Sequence, residues 1–325
     1  MKRILSGVQS SGEPHIGNYL GAMRNHIAMQ DTHECFIFIA DLHALTTVRD
    51  PKKMKQDSTE IALDYLALGL DPNKTVFFRQ SDIAEHSELA WILSTITPFG
   101  LLERAHAYKD AVAKGMKDPT TGLFTYPVLM AADILMYKPD LVPVGKDQKQ
   151  HVEITRDIAD KFNNIYGETF PLPDEHTPDD VAYILGTDGE NKMSKSYGNV
   201  INFFAEESRL KKQIMGIKTD STPMEEPKDP DSCAVYKIYS YFANDSEKKT
   251  MADKYKGGDF GYGDAKKILL QKVLDYFNPY RQKRIELQAN LEYINQVLKE
   301  GADKAKKEAQ KTMDEVRKKT GLGQI

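Results

Sequence analysis

The sequence predicts an α/β protein, a doubly wound parallel sheet followed by a smaller all-helical domain. In the first half, short β-type runs alternate with longer helical ones, the order that covers both faces of a parallel sheet with helices. After about residue 200 the strand signals fade and long polar helical patterns take over. The chain has 325 residues, 40% hydrophobic and 28% charged. That suits about two domains whose core needs no disulfide or metal to hold it.

Taken in order, Arg3-Ile4-Leu5-Ser6 reads as a first strand, and residues 19–30 as a helix with Leu20, Met23 and Ile27 on one face. Cys35-Phe36-Ile37-Phe38-Ile39-Ala40 is an unbroken apolar run, as a central parallel strand buried on both faces requires. Residues 55–68 put Ile61, Leu63, Tyr65, Leu66 and Leu68 on a broad apolar face and stop at Gly69, a common helix cap. Thr75-Val76-Phe77-Phe78-Arg79 is a third strand, residues 87–93 a third helix, and Asp140-Leu141-Val142-Pro143-Val144 a later strand. Beyond them, loops at 219–230 and 257–263 divide helical segments that include 265–277, 280–299 and 302–319. No repeat or low-complexity tract interrupts this pattern.

Composition removes several classes of function. Cys35 and Cys233 lack the paired spacing of a zinc or iron–sulfur site and fit a reducing compartment. Met1 leads straight into the first strand, and no run approaches the ~20 apolar residues of a membrane span. A cytoplasmic protein, neither exported nor membrane-inserted, is therefore expected. The net charge of −4 gives no footprint for DNA, but residues 296–325 carry eight Lys/Arg against five Asp/Glu. Such an end suits either a phosphate backbone or a solvated helix face, and charge alone favours the second.

Chemistry concentrates in a few stretches. Between the first strand and helix, glycines at 7, 12 and 17 let backbone approach a bulky ligand, and a helix N-terminus just beyond offers N–H groups to phosphate. The spacing is neither G-x-G-x-x-G nor a P-loop, which argues against a dinucleotide enzyme or an ordinary ATPase. Lys192-Met193-Ser194-Lys195-Ser196 follows a Gly/Asp-rich loop. Alone it is a solvated loop; as a ligand element its two lysines can follow charge from triphosphate to leaving pyrophosphate. Asp133 lies in the apolar helical stretch Met130-Ala131-Ala132-Asp133-Ile134-Leu135, where a carboxylate is costly unless donors meet it. It is either a core hydrogen-bond acceptor or a selector of a ligand N–H. Gly145, Asp147 and Gln148 follow a strand and so stand at a strand carboxyl end, where such sheets bind ligands. Trp91 and His86, on or beside a helix, read as core or subunit contacts, and Met130 alone would pass as core.

His15-Ile16-Gly17-Asn18 resembles the His-Ile-Gly-His signature of class I aminoacyl-tRNA synthetases, with Asn18 for the last His, and the lysine loop resembles their second signature. The whole chain resembles the bacterial tryptophanyl-tRNA synthetases. The resemblance is carried by Ser6-Gly7-x-Gln9-x-Ser11-Gly12, Gly17-Asn18-Tyr19-Leu20-Gly21-Ala22, Asp41-x-His43-Ala44, Tyr126-Pro127-x-x-Met130-Ala131-Ala132-Asp133-Ile134-Leu135, Gly145-x-Asp147-Gln148-Lys149-Gln150-His151, Gly301-Ala302-x-Lys304-Ala305 and Gly321-Leu322-Gly323.

The resemblance implies a Rossmann-like catalytic domain over residues 1–196, ending in the lysine loop, and a helical tRNA anticodon-binding domain over 197–325 whose last helix can pack back on the first. It implies a tryptophan pocket of Leu5, Gly7, Gln9, His43, Tyr126, Met130, Asp133, Ile134, Val142, Val144 and Gln148, with Asp133 taking the indole N–H. ATP would contact Gln9, Ser10, Ser11, Gly17, Asn18, Gly145, Lys146, Asp147, Ile184, Lys192, Met193, Ser194, Lys195 and Ser196. Lys192, Lys195, Gln9 and Asn18 would carry catalysis.

Mg²⁺ would ride on the ATP phosphates with few or no direct protein ligands and no organic cofactor, and the partners implied are L-tryptophan, ATP, tRNA(Trp) and a second subunit in a homodimer. Lys304, Lys307, Lys311 and Arg317 are candidates for phosphate contact. Lys146, Ser10 and Tyr197 depart from the family pattern, where Glu, Pro and an acidic residue are common. Lys109, Lys114 and Lys117 compete for the family's mobile lysine. The rival readings are a tyrosyl enzyme of the same fold, a non-charging regulator, and a small-molecule adenylyltransferase, which would need neither the lysine loop nor the C-terminal helices.

Overall fold

A computed structural model describes residues 1–10, 12–105, 108–109, 118–145, 148–176 and 183–323. Its centre is a five-stranded parallel sheet of β1 (Arg3–Val8), β2 (Glu34–Ile39), β3 (Thr75–Arg79), β4 (Leu141–Pro143) and β5 (Asp174–His176), in the order β3-β2-β1-β4-β5. The order reverses between β1 and β4, the topological switch point at which doubly wound sheets bind their ligands. β1 runs two residues past the expected Ser6, pairing Gly7 with Phe38 and Val8 with Ile39. β5 was not visible in the sequence: Asp174-Glu175-His176 has no apolar run, because it pairs at an edge with only β4.

By contacts the chain divides into two compact units, the first formed by Met1–Gly12, Asn25–Asp179 and Asn290–Ile325, the second by Glu13–Arg24 and Asp180–Ala289. This tertiary division differs from a single cut after Ser196. In the first unit, the helices Glu85–Ser94, Thr121–Met136 and Lys149–Tyr166 and the last helix, Leu291–Thr320, share one apolar core with the strands.

The helix expected over 280–299 is instead divided at 289–290, and the helix Leu291–Thr320 runs through Gly301, across the gap between the expected segments 280–299 and 302–319. Gly301 is a point of close approach: a Cβ there would stand 1.8 Å from the Phe77 carbonyl oxygen of β3. Along the same helix Thr312 Oγ1 donates to Met136 O at 2.8 Å, and Arg317 pairs with Glu88 at 2.8 Å.

In the second unit, Ile16 N–H donates to Ile201 O at 2.9 Å and Asn202 Nδ2 to Pro14 O at 3.2 Å, so the signature segment is tied to the stretch after the lysine loop. Its helix continues through a π-helical turn, Tyr19–Met23. Tyr19 packs edge-on against Phe277, with Phe203 stacked on Phe277 and the Tyr19 and Tyr276 hydroxyls 2.7 Å apart. The helix Tyr262–Gln288 passes through Pro279, although an interior proline costs ~3 kcal/mol. The aromatic cluster before Pro279 and the Arg281 guanidinium beyond it, bonded to Phe203 O and Ala205 O, offset that cost. The expected loop at 219–230 is irregular but satisfied: the buried Lys228 ammonium donates to the carbonyls of Pro223, Met224 and Glu226.

Candidate active site

In the first unit the site begins with Asp133, on the apolar helix Thr121–Met136 and 1% exposed. Its Oδ1 accepts from Gln80 Nε2 at 2.7 Å and His86 Nδ1 at 2.6 Å, and its Oδ2 from His43 Nε2 at 2.8 Å. Burial alone would raise its pKa, but the bonds from His43 and His86 outweigh burial and hold it below the ordinary carboxylate value. Each donor arrives from a strand carboxyl end: His43 on the turn of helix after β2, and Gln80 and His86 after β3.

Tyr126 lies about two turns earlier on the same face of that helix and bonds its hydroxyl to His151 Nε2 at 2.8 Å, with its ring edge-on to His43. A cavity of about 460 Å³ opens beside His43 and Tyr126, bordered also by Leu42, Thr46, Thr125 and Leu129; Asp133 is not among its walls.

The other expected tryptophan residues divide. Leu5, Ile134 and Val142 are buried core residues, with Met130 and Val144 packed against the same core. Gly7 makes room for its cross-strand neighbour: a Cβ would lie 2.6 Å from the Phe38 ring. Gln9 is exposed just beyond β1, and Gln148 stands at the N-terminus of the helix Lys149–Tyr166, donating its N–H to Gly145 O at 2.9 Å. Ser10 is fully buried, its hydroxyl turned to Met54 Sδ. Ser11, Lys146, Asp147, Lys114 and Lys117 lie outside the described residues. Lys109 is described, and its N–H donates to Ala105 O at 3.2 Å.

The second unit brings together the two signatures. His15 N–H donates to Asn18 Oδ1 at 3.1 Å, and Gly17 N–H meets Met193 Sδ at 3.4 Å. Gly17 is small for a reason, since a Cβ would stand 3.0 Å from His15 Nδ1. That nitrogen is buried without a hydrogen-bond partner among the described residues. Burial first, and then the charges of Lys195 and Lys192, lower the His15 pKa to about 4, so its ring is neutral at neutral pH.

Lys192, Lys195 and Ser196 are exposed, whereas Met193 is buried and donates its N–H to the buried Ile184 at 2.7 Å. Asn199 holds the loop: its Oδ1 accepts from Ser194 N–H at 2.7 Å, and its Nδ2 donates to Lys192 O at 3.1 Å and Asp188 Oδ2 at 2.9 Å. The Ser194 and Ser196 hydroxyls meet at 2.9 Å.

Sequence reasoning missed Gln80, Asp188 and Asn199, and read His86 as a core or subunit residue. The position of Gln80 directly after β3 was the available signal; Asp188 and Asn199 flank the lysines and show their role only once the loop closes. Among the described residues, no group of His, Cys, Asp and Glu is placed to hold a metal ion, and no helix is long and apolar enough to cross a membrane.

The family described as tRNA synthetases class I (W and Y) matches residues 1–278. The tryptophan–tRNA ligase of Fusobacterium nucleatum is 54% identical over 323 residues, spanning 99% of this chain and 98% of the relative. That of Rhodopirellula baltica is 52% identical over 320 residues, spanning 98% and 99%. A crystal structure of tryptophanyl-tRNA synthetase from Campylobacter jejuni, complexed with ADP and tryptophan, matches with a TM-score of 0.93 and 50% identity over 98% of this chain and 100% of that one. A tyrosyl-tRNA synthetase from Archaeoglobus fulgidus, 21% identical with a TM-score of 0.67, shares the fold alone. With the parallel sheet, the buried carboxylate and both signature loops in place, the chain belongs to the class I aminoacyl-tRNA synthetases, in the bacterial tryptophanyl family.

Proposed function

We propose that the chain is a ligase that activates L-tryptophan with ATP, giving tryptophanyl-adenylate and pyrophosphate, and then transfers the tryptophanyl group to the 3' end of tRNA(Trp). The observation that carries this is Asp133, a carboxylate kept ionised inside an apolar helix. Among the described residues, Gln80, His86 and His43 take three of its in-plane acceptor positions, leaving one on Oδ2 for an indole N–H. An amino acid whose ring lacks a donor would leave that position unmet in a dry site, a penalty of ~1–3 kcal/mol.

In the first step a tryptophan carboxylate oxygen attacks the α-phosphorus, and the bond to the bridging oxygen of pyrophosphate breaks. Lys192 and Lys195 stabilise the charge that gathers on the leaving phosphates, and the neutral His15 ring offers its buried nitrogen to a phosphate oxygen. In the second, a hydroxyl of the terminal adenosine attacks the acyl carbon and expels AMP. Neither step needs a covalent enzyme intermediate, and Mg²⁺ enters with the nucleotide as part of the substrate.

Gln9, Ser10, Ser11, Gly17, Asn18, Gly145, Lys146, Asp147, Ile184 and residues 192–196 are the proposed ATP contacts, with Gln9 and Asn18 aligning the reactants. The pocket residues named from the family resemblance are the proposed tryptophan contacts. Residues 1–196 form the proposed catalytic domain, residues 197–325 supply anticodon recognition, and the enzyme works as a cytoplasmic homodimer.

The test is ATP–pyrophosphate exchange with tryptophan and, in parallel, tyrosine, without tRNA. Exchange with tryptophan alone supports the reading. Exchange with tyrosine overturns the pocket assignment, and exchange with neither overturns the adenylation step.

A further inference from the structure

We infer that His86 is a positioning residue for amino-acid specificity: backed by Tyr137, it locks the Asp133 carboxylate so that one acceptor position faces the substrate ring. This rests on the reading of Asp133 as the indole acceptor. His86 is fully buried, its ring set among Phe38, Phe78 and Tyr137 with centroids 6.0, 6.3 and 5.5 Å away. Its Nδ1 stands 2.6 Å from Asp133 Oδ1 and its Nε2 2.9 Å from the Tyr137 hydroxyl.

A carboxylate only accepts, so Nδ1 carries a proton toward Asp133, while Nε2 and the Tyr137 hydroxyl hold the far side of the ring. Burial, followed by the charges of Asp133 and Glu85, raises the Tyr137 pKa and keeps that hydroxyl protonated. The Tyr137–His86–Asp133 chain therefore fixes the imidazole at both nitrogens. Together with Gln80 it fills both acceptor positions of Oδ1, and the carboxyl plane cannot turn without breaking two bonds. Nothing in this chain need touch the substrate; it acts through Asp133.

The test compares kcat/KM in ATP–pyrophosphate exchange for tryptophan and for β-(benzothiophen-3-yl)alanine, which keeps the ring shape and lacks the N–H. The parent should prefer tryptophan. In His86→Leu that preference should shrink about tenfold or more, through a higher KM for tryptophan with the analogue's KM little changed. His86→Asn, whose amide nitrogen can stand where Nδ1 stood, should restore most of it, and Tyr137→Phe should give a smaller shift in the same direction.

Equal losses for both amino acids in His86→Leu would overturn the inference, and so would failure of His86→Asn to do better than His86→Leu. If His86→Leu does not fold, Tyr137→Phe decides, and an unchanged preference there overturns it. A parent that does not distinguish the two amino acids would instead overturn the assignment of Asp133 to the indole. That result is distinct from a parental preference that survives in every variant.

Discussion

The two charged centres of this molecule are built on opposite plans. In the first unit Asp133 is almost wholly removed from water and its charge is met by fixed donors from three elements. In the second unit Lys192 and Lys195 remain exposed, and what is fixed is the backbone beneath them, through Asn199 and the buried Met193. The pKa values of Asp133 and His15 are both lowered, with opposite results for charge. The Asp133 carboxyl stays charged because histidine donors outweigh burial, whereas His15 stays neutral because burial and two lysines act together. The difference follows from the ligand each would meet. Choosing a ring by one N–H requires a dry acceptor with no freedom, since water would substitute for the missing donor. Holding a polyphosphate whose charge shifts during reaction is served by long cationic side chains on a shaped loop.

The largest expected effect comes from removing charge on the lysine side. Lys195→Ala should slow adenylate formation on the order of 10²–10³-fold, as loss of one transition-state donor does, with tryptophan affinity unchanged. Pre-steady-state adenylate formation checks the first part and calorimetry the second; equal rates would break the comparison at its catalytic end.

Next comes acid stability. The His15 pKa of about 4 lies below its unfolded value of about 6.5, so between those values the unfolded chain binds more protons than the native one and stability falls as pH falls. Below about 4 this contribution changes no further, and its full size is on the order of 3 kcal/mol. Asp133, with its pKa lowered, contributes in a separate and more acid window, losing stability only as pH falls below the ordinary carboxylate value. Denaturant unfolding at pH 7, 5.5 and 4 should therefore show a gentler pH slope in His15→Gln than in the parent, and parallel slopes would remove the contrast.

Smaller effects sharpen the same comparison. Asp133→Asn should raise the tryptophan Kd by at least roughly tenfold, about 1.4 kcal/mol, while leaving ATP binding unchanged. Calorimetry with each ligand separates the two. Asn199→Ala should cost roughly 1 kcal/mol in ATP-dependent terms, a several-fold rise in the KM for ATP, by orphaning Ser194 N–H and Lys192 O. Asn199→Asp should be no better, because it keeps one acceptor, loses both donated bonds and sets a second carboxylate beside Asp188. A rise in the Kd for ATP in the first case, or in the KM for tryptophan in the second, would show the two centres to be less separate than their construction implies.

Much of this was legible in the residues. The run 35–40 is buried on both faces because only a central parallel strand accommodates an unbroken apolar series, and it emerged as β2. Asp133 stood out because a carboxylate among Met, Ala, Ile and Leu demands partners. The lysine loop stood out by spacing. Less legible were features whose cause lies far along the chain. Gly301 fell in the gap between two expected helical segments and is a contact with the Phe77 backbone; Pro279 fell between the segments 265–277 and 280–299 and lies inside one helix, with Arg281 and the aromatic cluster on either side of it. His86 looked like an ordinary buried histidine until Asp133 and Tyr137 were found on either side of its ring.

What the sequence determined by itself is therefore the local chemistry: where strands and helices alternate, which glycines precede a helix, and which charged residues stand in apolar company. These follow from side-chain volume, period and desolvation, and each acts within a few residues. What only the tertiary structure decided is partnership. It set which donors meet Asp133, which amide closes the lysine loop, and that residues 13–24 share a unit with 180–289 while residues 290–325 share one with the sheet. Hydrogen bonds and close packing act over a few ångströms between residues as much as 305 positions apart, as Arg3 and Glu308 are, and that proximity exists only once the chain has folded.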